Sequence, residues 1–137
     1  MTYELLPTTS IVGDVTASLS DTTSTRRPFI SAIIKATFVR AAGGSGTDAW
    51  VQCSADRGTT WHDVVNFHFV TTNLAVYVNL SGATAVTTPA ALTDGTMTAN
   101  SATDATLTNM FRVKYTTTGT YGAGTTLKVW MVTRDSA

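Results

Sequence analysis

Residues 29–39 read FISAIIKATFV, and this stretch decides the fold class. Its even positions are all apolar, namely Ile30, Ala32, Ile34, Ala36 and Phe38. Its odd positions are mixed, because Ser31, Lys35 and Thr37 stand among apolar residues. Since successive side chains of a strand point to opposite faces, the stretch predicts a long strand that is largely buried.

Further segments alternate in the same way, and no window shows a sustained helical period. Their predicted inward positions are Ala49, Val51 and Cys53, then Val65, Phe67 and Phe69, then Leu74, Val76, Val78 and Leu80, then Phe111, Val113 and Tyr115, and finally Leu127, Val129 and Met131. The glycine-containing stretch 41–46 predicts a hairpin between the first strand and the next, and 119–124 predicts a second between the last two strands. About seven or eight antiparallel strands with one buried face each stack as two sheets. The sequence therefore predicts an all-β, two-sheet antiparallel β-sandwich, jelly-roll-like in its connections.

Two segments depart from this pattern. Residues 1–28 are polar and irregular and predict an N-terminal arm with one strand, so that the sandwich domain spans 29–137. Residues 81–109 are rich in Thr and Ala and are longer than a usual hairpin loop. They predict a surface excursion with one or two short strands.

The composition limits the range of functions. Of 137 residues, 43% are hydrophobic and only 13% are charged, with nine basic and nine acidic residues, while Thr supplies roughly a fifth of the chain. A chain of this length can bury a core without disulfides or metals. No basic cluster exceeds Arg26-Arg27, so we expect no nucleic-acid partner. The sequence shows neither an export signal nor a membrane-length apolar run, so we expect cytoplasmic assembly and no membrane partner.

The most specific local motif is the Asp-box pattern Ser-x-Asp-x-Gly-x-Thr-Trp. It is matched by Ser54, Asp56, Gly58, Thr60 and Trp61. In Asp-box proteins such as sialidases, this motif is a hairpin turn away from the catalytic site. A propeller of that kind needs several boxes and a longer chain, so the single box here predicts a structural turn.

No residues form a recognisable catalytic or metal site. His62 and His68 share a face of one predicted strand, with Asp63 opposite, but are separated by roughly 20 Å at about 3.4 Å per residue. We therefore expect histidines at the surface or in an interface, without a bound metal. The single Cys53 is predicted to be buried and inert, with no disulfide and no nearby base. No enzyme activity and no cofactor are predicted.

Three aromatic residues fall on the more polar faces of their strands: Trp50, Tyr77 and Trp130. Such side chains stack on sugar rings or anchor protein interfaces, because each has a flat apolar body with a polar end. The alternative is that neighbouring parts of the same domain cover them. The sequence leaves these interpretations open.

The order of these features resembles that of small β-rich virion proteins of tailed bacteriophages. The features are the strand 29–39, a small-residue turn, the segment 50–61, the strand 111–115 and a final strand, so the resemblance covers roughly residues 29–134. Arg57 is a small departure, since Gly or Asp is more usual there. The resemblance implies a head decoration or cement protein, or a tail, spike or fibre component, on the virion surface.

Two functions follow as hypotheses. A capsid decoration or cement protein would bind other virion proteins, such as the major capsid protein, using the N-terminal arm and apolar rim. A sugar-binding module would instead present the three aromatic residues to a glycan. We also expect a homo-oligomer, because sandwich edges are open and the strand 74–80 has no charge. The phage resemblance implies a trimer, with residues 81–109 exposed or swapped onto a neighbour.

Overall fold

The computed structural model describes residues 1–82, 87–103 and 107–134, and within them the regular secondary structure is all β. The strands are β1 (Thr2–Ser10), β2 (Ser18–Leu19), β3 (Thr23–Ser24), β4 (Ser31–Val39), β5 (Gly46–Cys53), β6 (His62–Phe69), β7 (Leu74–Ser81), β8 (Met110–Thr118) and β9 (Thr126–Arg134). These described residues contain no helix long and apolar enough to cross a bilayer.

The strands form two antiparallel sheets that pack face to face. The first sheet has the order β1-β9-β4-β7. The second has the order β2-β8-β5-β6, and β3 also pairs with β8. The prediction of an all-β, two-sheet antiparallel sandwich is therefore confirmed.

The strand pairs are nested along the chain. The outermost pair is β1 with β9, followed by β2 and β3 with β8, β4 with β7 and finally β5 with β6. A jelly roll requires nesting of this kind, and its assignment here stays a prediction. Both predicted hairpins are wrong, because β4 and β5 lie in different sheets, as do β8 and β9.

The glycine-containing connections carry the chain from one sheet to the other and lie against each other. The Gly44 N–H donates to the Thr120 carbonyl at 2.9 Å, and the Gly122 N–H donates to the Ala42 carbonyl at 2.8 Å. Each connection therefore satisfies backbone groups of the other. The side-chain pattern identifies the buried face of each strand but not the sheet to which the strand belongs, which is why the hairpin predictions failed.

Residues 1–28 contribute to both sheets and do not form an arm with one strand. β1 is an edge strand of the first sheet, and β2 and β3 lie at the edge of the second. The register of β1 against β9 shifts twice, between Glu4 and Leu6 and between Leu6 and Thr9. Such bulges break the two-residue period, so the adjacent Leu5 and Leu6 are both buried. This broken period concealed the strand in the sequence.

The core lies between the two sheets, and aromatic rings fill one end of it. The Phe38 ring stacks on Phe69 with a centroid separation of 5.0 Å, and Tyr121 meets Phe38 edge-on at 5.7 Å. The Tyr121 hydroxyl donates to the Val70 carbonyl at 2.7 Å, which satisfies the polar end of this buried ring. The predicted inward positions of β4, β5, β8 and β9 are largely buried in this core.

The excursion 81–109 packs on its own domain over residues 87–103, the longest of its described parts. The N–H of Asn66 donates to the Ser101 carbonyl at 2.9 Å, and that of Thr103 donates to the Val64 carbonyl at 2.8 Å. The prediction of one or two short strands is wrong for 87–103, where the β-structure is limited to a bridge at Ala102. Residues 83–86 and 104–106, to which the prediction also extended, lie outside the described residues.

Candidate functional site

The Asp-box residues form the turn between β5 and β6, and their side-chain hydrogen bonds are internal to it. The Asp56 carboxylate accepts from the Ser54 hydroxyl at 2.8 Å and from the Thr60 N–H at 2.8 Å. The Ser54 hydroxyl oxygen accepts from the Gly58 N–H at 2.7 Å, and the Trp61 indole donates to the Gly58 carbonyl at 3.2 Å. The Asp-box polar groups therefore stabilise the hairpin itself.

Two residues of this turn have left-handed backbone angles, with φ of 59° at Arg57 and 89° at Gly58. A glycine adopts such an angle without steric cost, whereas Arg57 adopts it at some cost. Trp61 packs against the second sheet, where the Arg112 guanidinium lies 4.5 Å from its ring centroid. The aromatic end of the motif therefore anchors the turn to β8.

We predict that Asp56→Ala lowers the melting temperature and reduces its dependence on acid pH. Hydrogen bonds from Thr60, followed by one from Ser54, lower the pKa of Asp56 from 3.8 to about 2. Because this pKa is lower in the folded state, the stabilisation is complete above about pH 5 and is lost as pH falls toward 2. Thermal melts between these pH values measure the effect.

The matched control for this variant is Asp14→Ala, which removes an exposed carboxylate outside the turn. An Asp56→Ala protein with an unchanged melting curve at every pH but with lost partner binding would assign the turn to function instead of stability.

The two histidines do not share a face, contrary to the sequence prediction. His62 pairs with the inward-facing Cys53, whereas His68 pairs with Asp48 on the outer face of the sheet. The register of β5 against β6 shifts after Val51, and this bulge reverses the alternation within β6. It also places Asp63 on the outer face with His68. Among the described residues, no group of three or more His, Cys, Asp or Glu side chains could hold a metal ion.

Asp63 is the anchor of the excursion and is only 3% exposed. Its carboxylate accepts from the Gln52 amide at 2.8 Å, from the Thr93 hydroxyl at 2.8 Å and from the backbone N–H of Gly95 at 2.9 Å. It also accepts from the N–H groups of Thr96 and Met97, each at 3.1 Å. Five donor groups therefore hold this buried carboxylate and fix the path of residues 93–97 over the sheet.

A second carboxylate joins this network from the rim. The Gln52 amide also donates to Asp94 at 2.7 Å, while its carbonyl oxygen accepts from the Arg112 guanidinium at 2.8 Å. The Gln52 hydrogen bond and the nearby Lys114 ammonium, 3.1 Å from Asp94, lower the pKa of the Asp94 carboxyl. Gln52 therefore links both carboxylates of the cluster and is itself fully buried.

The excursion also covers Trp50, one of the three candidate aromatic residues. Its indole donates to the Met97 carbonyl at 3.1 Å. Farther along β6, Asn66 accepts from the Asn100 N–H at 3.0 Å, and Asn100 in turn accepts from the His68 N–H at 3.1 Å. Residues 93–103 thus cover the outer face of β5 and β6 and also pair with the β6 edge.

The excursion and β6 border an open cavity of about 400 Å³. Asp63, Leu92, Met97 and Thr98 are among its lining residues. The carboxylate in this lining is already held by five donors from the chain. Its polar chemistry thus serves the fold, and the cavity does not direct an available charge at a ligand.

The outer face of the first sheet differs from that of the second. Glu4, Trp130, Lys35 and Tyr77 form one cross-strand row over β1, β9, β4 and β7. The ammonium groups of Lys35 and Lys128 lie 5.0 and 5.2 Å from the Trp130 ring centroid. Tyr77 is 72% exposed. We call these five residues the interaction face; each is partly or fully exposed.

Sequence reasoning placed Trp130 and Tyr77 on polar faces but missed the buried polar side chains of Asp63, Gln52 and Asn66, which bond to the excursion. Alternation predicts that polar residues such as Gln52 and Asn66 face solvent, whereas the excursion buries them. One available signal was the length of that excursion. A long segment rich in Ala and Thr needs a surface to pack on, and buried acceptors on that surface must satisfy its N–H groups.

Cys53 is buried on the inner face of β5, as predicted. Burial raises the pKa of its thiol to about 11, although hydrogen bonding with Thr108 partly opposes this increase. The thiol is therefore protonated at neutral pH, and the thiolate is the nucleophilic form.

Comparisons with known proteins do not place the chain in a family. A scan against protein-family models finds no match, and searches of curated proteins and of solved structures find no similar protein. The contrast between a covered outer face and an exposed one is therefore the main basis for inferring function.

Proposed function

We propose that this chain is a non-enzymatic structural protein of a bacteriophage virion, a capsid decoration or cement protein that attaches through the interaction face. The observation that carries the proposal is the difference between the two sheets. The chain covers one outer face with its own excursion, and on the other it leaves an aromatic and cationic row that is partly or fully exposed. Exposed aromatic residues surrounded by polar groups are typical of protein interfaces.

The chemistry of the interaction face specifies the kind of partner surface. Tyr77 supplies the most exposed aromatic ring of this face, the partly exposed Trp130 lies in the same row, and Lys35 and Lys128 supply two positive charges. Glu4 offsets part of this charge, with its carboxylate 3.8 Å from the Lys128 ammonium. A partner with an apolar centre and carboxylates at its rim is complementary. We propose such a patch on the major capsid protein.

The surroundings of the Asp63 carboxylate and the Cys53 thiol agree with a non-enzymatic role. The Asp63 carboxylate is held by donors from its own chain, and the Cys53 thiol is buried and protonated. Both groups are therefore engaged within the fold and neither is presented to a substrate.

The alternative is a carbohydrate-binding module of a tail, spike or fibre. Its supporting observation is Tyr77, whose ring is largely exposed. Trp50 is covered by the excursion, and the Trp130 ring is engaged by two ammonium groups. Because stacking on a sugar needs a free ring face, the described structure favours a protein partner over a glycan.

We predict that Lys35→Glu combined with Lys128→Glu weakens attachment to virions by about tenfold or more, because the reversed charges oppose the partner's carboxylates. The measurement is rebinding of the purified protein to heads that lack it, after mass spectrometry has assigned the chain to heads or tails. The matched control is Arg26→Glu with Arg27→Glu, which makes the same charge change at exposed sites outside the interaction face.

Three results would contradict this proposal: equal rebinding of both double variants, location of the chain only in tails, or a glycan-array signal that Tyr77→Ala abolishes. The last two would favour the carbohydrate-binding alternative.

A further inference from the structure

The edge strand β7 differs from the other three sheet edges in the described part of the chain. β6 is hydrogen-bonded to residues 93–103, β1 has two register shifts, and β2 and β3 have two residues each. β7 has eight residues and pairs regularly with β4 on one side. It is the last strand in its sheet order, and none of the described strands pairs with its other side. Leu74 at its start is 47% exposed.

The sequence of this edge is nearly symmetric about Tyr77. Residues 74–80 read LAVYVNL, so Leu74 matches Leu80 and Val76 matches Val78 on either side of the tyrosine. Charged residues and Pro usually prevent edge strands from pairing, and Gly weakens a strand. The stretch contains none of these residues.

We propose that two copies of this chain pair antiparallel through β7, about a two-fold axis at Tyr77. In this register Leu74 lies opposite Leu80 of the second copy, Val76 lies opposite Val78, and Tyr77 lies opposite Tyr77. Aromatic and β-branched pairs of this kind stabilise antiparallel strands, and the pairing brings no like charges together. Seven residues form about six to eight backbone hydrogen bonds across the axis. The first sheets of the two copies become one eight-stranded sheet.

A groove borders the apolar side of β7 at the middle of the strand. Its volume is about 190 Å³, with Val65, Phe67, Val76 and Val78 in its lining and residues 100–102 on the far side. Side chains of a paired strand keep the alternation of the sheet, so Val76 and Val78 of the second copy face this groove. The half-buried Val76 and Val78 of each copy then lie beside the same two residues of the other copy.

This pairing goes beyond the proposed attachment to a virion and does not depend on it. It places two interaction faces side by side on one sheet, with the two Tyr77 residues at the centre. The contact is isologous and closes as a dimer, whereas the three-fold ring expected from the phage resemblance needs a head-to-tail contact between unlike surfaces.

The test uses charge at the symmetry axis, with no virion partner present. We expect a dimer of the wild-type protein in sedimentation and light scattering at micromolar concentration. Tyr77→Lys and Tyr77→Glu each place like charges opposite each other and should weaken self-association about tenfold. Mixing the two variants places opposite charges together and should restore the dimer as a heterodimer. Because Tyr77 is largely exposed, both variants should keep the wild-type circular dichroism spectrum.

The matched control is Leu19→Lys, which adds a lysine at an exposed apolar residue on β2 and should remain dimeric. A monomeric or trimeric wild-type protein would overturn the pairing, as would dimers unaffected by charge at position 77. Failure of the mixed variants to associate would overturn the register about Tyr77.

Discussion

Replacing Asp63 by Ala is expected to destabilise the protein by on the order of 3–5 kcal/mol, which lowers the melting temperature by roughly 10–20 °C. The carboxylate accepts hydrogen bonds from the Gln52 amide, the Thr93 hydroxyl and three successive backbone N–H groups. Its removal leaves several of these donors without a partner. The site is buried, since Asp63 itself is only 3% exposed. Unsatisfied buried donors cost more than a typical hydrogen bond contributes.

The same variant should release residues 93–97 from the sheet before the rest of the fold opens. Amide hydrogen exchange in this segment is then faster than in β4 and β9, and the Trp50 environment changes because its indole bonds to the Met97 carbonyl. The matched control is Asp21→Ala, which removes an exposed carboxylate on the opposite edge of the second sheet. Equal melting temperatures for both variants would show that Asp63 does not anchor the excursion.

Replacing Gly44 by Ala is expected to cost about 3 kcal/mol or more, from two separate causes. Gly44 has φ of +70°, a backbone angle that an alanine adopts only with strain. A Cβ at this position would also overlap the Tyr121 ring. That ring cannot move aside easily, because it packs on Phe38 and its hydroxyl bonds to the Val70 carbonyl. Overpacking of this kind typically adds about 1–3 kcal/mol.

A second glycine separates these two causes. Gly13 has φ of +83°, but the position of its Cβ has no described heavy atom within 4 Å beyond its chain neighbours. Gly13→Ala therefore tests backbone strain without overlap and should cost about 1 kcal/mol. Chemical denaturation of both variants measures the difference. If both variants lower the free energy of unfolding by the same amount, backbone strain alone explains the glycine at position 44 and the Tyr121 ring does not.

Both predictions concern residues whose importance the sequence indicated only in part. The stretch 41–46 was recognisable as a connection, but the requirement for glycine at 44 comes from Tyr121, which is distant along the chain. Asp63 was assigned to the wrong face of its strand, because a bulge within β6 shifts the alternation. A one-residue shift reverses the face of each side chain beyond it, and the bulge has no clear signal in the sequence.

The three candidate aromatic residues were also predicted only in part from the sequence. Their outward positions followed from alternation alone, which places Trp50, Tyr77 and Trp130 on the polar sides of their strands. Which of them is accessible depends on the excursion, which bonds to Trp50 and leaves Tyr77 exposed. Alternation describes one strand at a time, so it cannot show which outer face a distant segment will cover.

The sequence by itself determined the features that depend on neighbouring residues. Alternation over 29–39 and in five further segments determined an all-β, two-sheet fold, and the Asp-box residues determined the hairpin between β5 and β6. The tertiary structure alone decided that β4 and β5 belong to different sheets, that residues 1–28 supply strands to both, and that Asp63 anchors the excursion. The physical reason is the separation along the chain of the residues that set each feature. A strand's buried face and a turn's hydrogen bonds are set within a few residues, whereas sheet partners and the burial of a polar face are set by contacts between segments far apart in the chain.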